Sequence, residues 1–253
     1  MHDLQQISER LDAAALTVTP VQQLQIPIDM SSAYEIQRRM IGLREARGER
    51  VIGVKMGLTS KAKMAQVGVT EMNWGRLTDG MLIDDGATVS AVRFIHPRAE
   101  PELAFLLRAP LEGRISALTA WQAVDGIACA IEIIDSRYRD FKFSLTDVVS
   151  DNSSSSGLVI GTWQKRDIDI SNLGMVLEVN GEIRQVGSSA AILGNPIRSL
   201  IAAARLVTEH GGCLRAGDIV MAGAATAAEP VRAGQRVQVR VEQLGRAGFF
   251  LEG

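Results

Sequence analysis

The sequence predicts an α+β chain, with a small helical N-terminal region over residues 1–50 and a β-rich region over residues 51–253. Helical spacing of apolar residues holds toward Gly48. From Val51 onward the apolar residues gather in short runs separated by Gly, Pro, Asn and Asp. The composition, 46% hydrophobic and 22% charged over 253 residues, is that of an ordinary globular chain long enough to bury a sizeable core.

In chain order, Leu4, Ile7, Leu11 and Ala15 recur at the spacing of one helix face. A connector punctuated by Pro20 and Pro27 follows. Ser31 and Ser32 then offer N-caps for a second helix through Tyr34, Ile36, Met40, Ile41 and Leu43. Strands are expected at Val51–Leu58, Glu102–Leu107, Ile127–Ile134, Leu158–Thr162, Met175–Val179, Asp218–Met221 and Val237–Val241. Asn180-Gly181 signals a type I′ hairpin, whose two central residues both need positive φ. Two helices interrupt the strands. One begins near Thr119 and carries Trp121 and Val124. The other has Asn195 as N-cap, Pro196 at its first position, a stripe of Ile197, Leu200, Ile201 and Ala204, and Gly211 as terminator.

A net charge of −2 argues against a generally cationic nucleic-acid or membrane binder. Two cysteines, Cys129 and Cys213, do not make a disulfide framework, and three histidines do not make a His-rich zinc site. The segment Met1–Gln6 lacks a basic-then-apolar signal pattern, and no apolar stretch is long enough to span a bilayer; a cytoplasmic enzyme fits this profile, as does almost any soluble protein.

The densest chemistry lies in Glu100-Pro101-Glu102 and in Glu132, set within Ala128-Cys129-Ala130-Ile131-Glu132-Ile133-Ile134. Alternation along a strand puts Glu100 and Glu102 on one face and Pro101, Leu103 and Phe105 on the other. Three gathered carboxylates repel and resist desolvation, which a hard divalent cation with oxygen preference would relieve. The competing reading makes Glu100 and Glu102 edge-strand charges, with Pro101 marking the edge. Lys55 sits in the apolar run Val51–Leu58 on the face of Gly53 and Gly57. The missing side chains there would leave room for an anionic ligand; otherwise Lys55 is an edge lysine reaching for water. Asp79 precedes Gly80 and reads first as a turn residue, second as an acid or base. Arg137 and Arg139 are solvated by default, or hold a carboxylate. Ser153–Ser156 form either a flexible loop or an anion-binding turn.

These segments occur together and in order: Gly-Val-Lys-Met-Gly-Leu-Thr-Ser (53–60), Gly-Arg-Leu-Thr-Asp (75–79), His-Pro-Arg-Ala-Glu-Pro-Glu (96–102), Asp-Asn-Ser-Ser (151–154), Gly-Asn-Pro (194–196) and Gly-Ala-Ala-Thr-Ala-Ala (223–228). Their combination resembles the 4-oxalocrotonate decarboxylases (2-oxo-3-hexenedioate decarboxylases), in the hydratase/decarboxylase branch of the fumarylacetoacetate hydrolase-like superfamily. The resemblance runs through nearly the whole chain. It implies a helical N-terminal region on a larger mixed β-sheet roll, with residues 51–253 as the catalytic domain. It implies that Glu100, Glu102 and Glu132 bind Mg²⁺ or Mn²⁺. Lys55, Leu58, Ser153 and Ser154 would then face the substrate, with Lys55 and Asp79 as catalytic candidates. The implied reaction is decarboxylation of 2-oxohex-3-enedioate in meta-cleavage degradation of aromatic compounds, by a homo-oligomer in complex with 2-hydroxypenta-2,4-dienoate hydratase. The sibling hydratases share the Lys-x-Gly-Leu-Thr and Glu-x-Glu elements, but resemble this chain less at Asn195 and at Gly-Ala-Ala-Thr-Ala (223–227). Three readings therefore stand beside the first. They are a hydratase, a C–C hydrolase for which His96 is the only histidine near the Glu pair, and a non-catalytic partner of a hydratase.

Overall fold

A computed structural model describes residues 3–59 and 72–253. Ser60, the last residue of the first motif, and His2 lie outside the described residues. Helices α1 (Leu4–Leu16) and α2 (Met30–Ala46) come first and pack on each other. Asp3 caps α1, accepting from the N–H groups of Gln5 and Gln6. The cap of α2 is Asp29, whose carboxylate accepts from the Ser32 N–H, in place of the expected serines. A carboxylate serves that position as well as a hydroxyl does and also suits the positive end of the helix dipole. Ile7, Leu11, Ile36 and Met40 close around Tyr138, and Arg47 forks onto Asp12 at 2.6 and 2.7 Å.

Fourteen strands follow among the described residues: β1 (Val51–Gly57), β2 (Asn73–Thr78), β3 (Leu82–Ile83), β4 (Thr88–Ser90), β5 (Arg98–Leu107), β6 (Val124–Ile134), β7 (Ser155–Ile160), β8 (Gln164–Lys165), β9 (Gly174–Val179), β10 (Glu182–Ser188), β11 (Ile219–Met221), β12 (Glu229–Pro230), β13 (Gln235–Val241) and β14 (Gly245–Glu252). Nine of them form a mixed sheet in the order β2-β1-β11-β5-β6-β7-β3, with β12 also on β5 and β8 also on β6. The other five form a second sheet in the order β10-β9-β13-β14-β4. Leu103, Phe105, Ile127 and Ile131 from the larger sheet share one core with Leu177, Val237, Val239 and Phe249 from the smaller. A separate small cluster of Leu77, Met81, Ala104, Ala130, Leu158 and Met221 belongs to the larger sheet. Ala104 and Ala130 carry it on the face that Glu102 and Glu132 share.

Helices α3 (Ala117–Gln122), α4 (Leu145–Ser150) and α5 (Ile197–Glu209) lie between strands. Val124, expected in α3, instead opens β6, because Ser116 caps the helix early and Ala123 ends it. In α5 the Asn195 carboxamide accepts from the Ile197 N–H, one residue short of the expected start, and Gly211 has the positive φ of a terminator. Asn180 and Gly181 turn β9 into β10 with φ of 53° and 80°. No helix among the described residues is long and apolar enough to cross a membrane.

Pro101 sits in the middle of a paired strand, not at an edge. Its partner across the sheet is Ile131 in β6. On its other side β11 has ended and β12 has not begun, so only the loop after Met221 passes. The Pro101 carbonyl takes the Ala225 N–H from that loop, and the missing proline N–H faces the same gap. Gly53 is a second interior constraint: a Cβ there would lie 1.9 Å from the Ile219 carbonyl oxygen. The space beside Lys55 is thus taken by the parallel strand β11, not by a ligand. Gly53→Ala is expected to cost about 3 kcal/mol or more by urea unfolding, since backbone cannot retreat cheaply. Gly86→Ala, at positive φ but with nothing within 4 Å, should cost only about 1–2 kcal/mol. Equal losses would remove the packing argument.

Candidate metal centre and active site

Glu100 and Glu132 are direct partners across β5 and β6, and Glu102 stands two residues further along the same face. Like charges placed opposite each other weaken a sheet. Here they are also buried: Glu102 and Glu132 are 0% exposed and Glu100 is 8% exposed. The three offer carboxylate oxygens that all lie within 4.8 Å of one another. Pairing in the sheet, not loop geometry, sets this convergence. The edge-strand alternative fails, because β5 is paired on both sides.

Lys55 comes to the same place from β1. It is 4% exposed, and its Nζ lies 3.1 Å from Glu132 Oε1. β1 runs between β2 and β11, so the side chain has no route to bulk water along an edge. Burial alone would drive the ammonium pKa down, but Glu132, Glu100 and Glu102 outweigh it and the pKa rises. Burial and the neighbouring Glu132 and Glu100 push the Glu102 carboxyl well above its ordinary range. Glu132 is raised by burial too, and Lys55 works against that rise. The Gly223 N–H donates to Glu102 Oε2 at 2.8 Å, while Glu102 Oε1 and Glu132 Oε2 have no hydrogen-bond partner among the described residues.

A cavity of about 600 Å³ opens onto this cluster. Lys55, Glu100, Leu58, Ser153 and Ser154 line it, so the structure brings together five of the eight site residues expected from sequence, with Glu102 and Glu132 immediately behind. Gly57 lines it as well, although a Cβ there would meet Asn73 Oδ1 at 2.1 Å, so that glycine admits Asn73 rather than a ligand. The Ser153–Ser156 segment is no flexible loop: Asn152, Ser153 and Ser154 are buried, with φ of 50°, 53° and 59°. Leu58 and Phe141, also cavity residues, have φ of 57° and 54°. Such left-handed conformations cost about 1–2 kcal/mol per non-glycine residue, and they concentrate here.

Asp79 stands apart. Its carboxylate accepts from the Arg50 backbone N–H at 2.9 Å and the Arg50 Nε at 3.0 Å, and these bonds hold its pKa down. It does not line the cavity, and its place at the start of a short turn is the turn reading. His96 is likewise occupied, with Nε2 2.7 Å from the Ser136 carbonyl oxygen, and it does not line the cavity. Arg137 is neither solvated nor in the cavity. It is 3% exposed and ion-paired with Asp151, whereas Arg139 is exposed as expected.

The cavity also contains Asn73, Arg98, Phe141 and Phe143, which the sequence reading passed over. Arg98 could have been found, since it alternates with Glu100 and Glu102 along β5. Its guanidinium stacks 4.0 Å from the Phe141 ring centroid. Asn73 belongs to β2, a strand with no clear alternation.

Residues 51–249 match the family described as fumarylacetoacetate (FAA) hydrolase C-terminal. The chain belongs to that family. It is 49% identical over 252 residues to 4-oxalocrotonate decarboxylase of a Pseudomonas species, covering 99% of this chain and 98% of that protein. A 2-hydroxyhexa-2,4-dienoate hydratase of Comamonas testosteroni is 35% identical, over 92% of this chain and 90% of that one. Among solved structures, 4-oxalocrotonate decarboxylase from Pseudomonas putida G7, complexed with magnesium and adipate, superimposes with a TM-score of 0.95 at 36% identity. That match covers 98% of this chain and 97% of that one.

Glu102→Gln keeps the side chain's volume and its bond to Gly223 while removing one buried negative charge. The metal-free variant is expected to melt at or above the wild-type temperature. Mn²⁺ affinity, followed by calorimetric titration, should fall by at least the ~10- to 100-fold that losing an outer-shell partner costs. Undiminished Mn²⁺ binding would dismiss the cluster as a metal centre.

Proposed function

We propose that this chain is a carboxy-lyase that decarboxylates 2-oxohex-3-enedioate to 2-hydroxypenta-2,4-dienoate and CO₂, with a divalent metal, Mg²⁺ or Mn²⁺, held by Glu100, Glu102 and Glu132. One observation carries the reading: three buried, converging carboxylates, one of them paired with Lys55, at the wall of a cavity with room for a six-carbon diacid. The donor set fits the ion. All ligand atoms are oxygens, and Glu102 Oε1 and Glu132 Oε2 are buried without a hydrogen-bond partner among the described residues, which suits a hard cation. A relative at 49% identity is named for this reaction, and the superimposed enzyme was complexed with magnesium and a six-carbon diacid, adipate. A hydratase reading has support only at lower identity.

Bound there, Mg²⁺ would supply Lewis-acid polarisation of the 2-oxo group. In the reaction the C5–C6 bond breaks and its electron pair becomes the C4–C5 double bond. The C3–C4 pair moves to C2–C3, and the carbonyl pair moves to the C2 oxygen, which takes up a proton. Lys55 serves in two ways. One N–H is directed at Glu132, favouring the ionised form of that carboxylate against the effect of burial. Its remaining donors offset the negative charge of the dianionic substrate. Ser154 offers a hydroxyl donor and Leu58 shapes the wall. Ile134, Phe141, Phe143, Leu145 and Val148 give the cavity an apolar side. A carboxylate set against such a side loses hydration that neutral CO₂ does not need.

The reading treats residues 1–50 as a helical flank of the catalytic part and places the enzyme in the cytoplasm. It works there as a homo-oligomer within meta-cleavage degradation of aromatic compounds. A hydratase is the natural companion, because the dienoate released here is what such an enzyme hydrates.

Given 2-oxohex-3-enedioate and Mg²⁺, the purified protein should release CO₂, stop when the metal is chelated and resume when Mg²⁺ returns. Given 2-hydroxypenta-2,4-dienoate instead, it should form almost no 4-hydroxy-2-oxopentanoate. Rapid hydration without CO₂ release would identify the sibling activity. Lys55→Met fills a similar volume and tolerates burial. It is expected to fold, yet lose about 100-fold or more in kcat, as removal of a charge-stabilising donor does elsewhere. Near wild-type turnover would make Lys55 structural.

A further inference from the structure

The buried Arg137–Asp151 pair takes no part in the chemistry just described, although it is the most completely enclosed ion pair outside the Lys55 cluster among the described residues. Arg137 Nε donates to Asp151 Oδ1 and Nη2 to the Asp151 carbonyl oxygen. Nη1 donates to the Asp135 carbonyl at 2.8 Å, the Ser155 carbonyl at 3.3 Å and Ser156 Oγ at 2.6 Å. The Arg137 backbone N–H adds a bond to Asp151 Oδ2 at 3.0 Å. One guanidinium thus grips the chain at Asp151 and again at Ser155, the two residues that bracket the left-handed run Asn152–Ser154.

The rest of the run is tied down as well. The Asn152 side chain closes two bonds on the Arg76 backbone, at 2.7 and 2.8 Å, and Ser153 Oγ donates to the Trp74 carbonyl at 2.9 Å. The Ser154 carbonyl accepts from the Asp135 N–H at 2.9 Å. Ser154 Oγ is different. It is buried, lines the cavity and has no partner among the described residues. Three consecutive left-handed residues would relax if released, and the Arg137 grip opposes that relaxation where it would displace Ser154.

We infer that Arg137 and Asp151 are positioning residues that hold the strained Asn152–Ser154 turn so that the Ser154 hydroxyl, and not that of Ser153, is presented to the substrate. The inference rests on the proposed reaction for its substrate contact. Lysine keeps the charge of arginine but lacks the fork that reaches both ends of the turn.

The test is a double-mutant cycle of Arg137→Lys and Ser154→Ala, with turnover of 2-oxohex-3-enedioate, Mn²⁺ affinity and melting temperature all recorded. Each single variant should lose about 10- to 100-fold in kcat, the worth of a hydrogen bond to a charged group, with Mn²⁺ affinity unchanged. The double variant should lose no more than Ser154→Ala alone, since both changes remove one contact. Losses that multiply would overturn the positioning role, as would Arg137→Lys at full activity. Full activity in Ser154→Ala would instead reject the serine contact while leaving the decarboxylase reading intact. Should Arg137→Lys not fold, Ser156→Ala removes one guanidinium bond, together with the Ser156 hydroxyl's bonds to the Asp135 and Ser154 carbonyls, and leaves the ion pair. The same non-additivity with Ser154→Ala is then expected, and its absence counts against the inference.

Discussion

Everything at this site depends on one electrostatic constraint: three carboxylates are forced together inside a sheet, with Lys55 paired to one of them. Glu100 and Glu132 face each other because the β5–β6 register makes them partners, and Glu102 follows by alternation. A sheet selected for stability alone would put apolar residues at those three positions, as it does at Leu103, Phe105, Ile131 and Ile133 on the other face. Desolvation and mutual repulsion oppose ionisation, while Lys55 favours it at Glu132. Buried carboxylate oxygens converging in this way are the arrangement that favours a hard divalent cation.

A second layer of control lies in the backbone around the cavity. Leu58, Phe141, Ser153 and Ser154 line it and all have positive φ without being glycine. At Ser153 and Ser154 the conformation is held by polar ties around the turn: Asn152 to Arg76 and Ser153 to Trp74, both in β2, and Arg137, just beyond β6, to Asp151. The helical N-terminal region joins the same network. Gln37 of α2 donates to the Trp74 and Val149 carbonyls at 3.0 Å each and accepts from Arg76 at 2.9 Å. The cavity wall is therefore buttressed from the sheet on one side and from α2 on the other.

The legible part of the molecule is the part governed by local rules. Strand alternation was enough to place Glu100 and Glu102 on one face, and Asn180-Gly181 was enough to place a hairpin. Meeting Glu132 and Lys55 requires pairing partners far apart in sequence, which spacing cannot supply and motif resemblance did. Short or irregular strands escaped notice. β10 is exposed along much of its length and β2 shows no alternation, so neither carries the period-two signature. Arg137 looked solvated because its partner Asp151 is supplied by a turn whose left-handed run of Asn and Ser has no sequence signal of its own. Asp79 matched a motif and yet obeyed its immediate neighbour Gly80, closing a turn onto Arg50.

The division between sheet and loops also explains how this chain can resemble decarboxylases and, at lower identity, hydratases over most of its length. Both reactions need a 2-oxo acid held at an oxyanion-stabilising centre, and that requirement is met by strands, where a one-residue slip would turn every ligand away. What differs is the treatment of the far end of the substrate. A hydratase has to deliver water to the terminal double bond. A decarboxylase has to admit a second carboxylate and let it leave as a neutral molecule. In this chain the cavity beyond the carboxylates is walled by Phe141, Phe143, Leu145 and Val148 from the segment after β6 and by Ala224, Ala227 and Ala228 from the segment after β11. These segments can change side chains without disturbing the β5–β6 register. Apolar and small residues there offer no hydrogen bond to position the water that hydration requires, and they lower the solvation that would otherwise hold a departing carboxylate. Selection between the two chemistries can thus act on the segments between strands while the carboxylate-bearing strands stay constant.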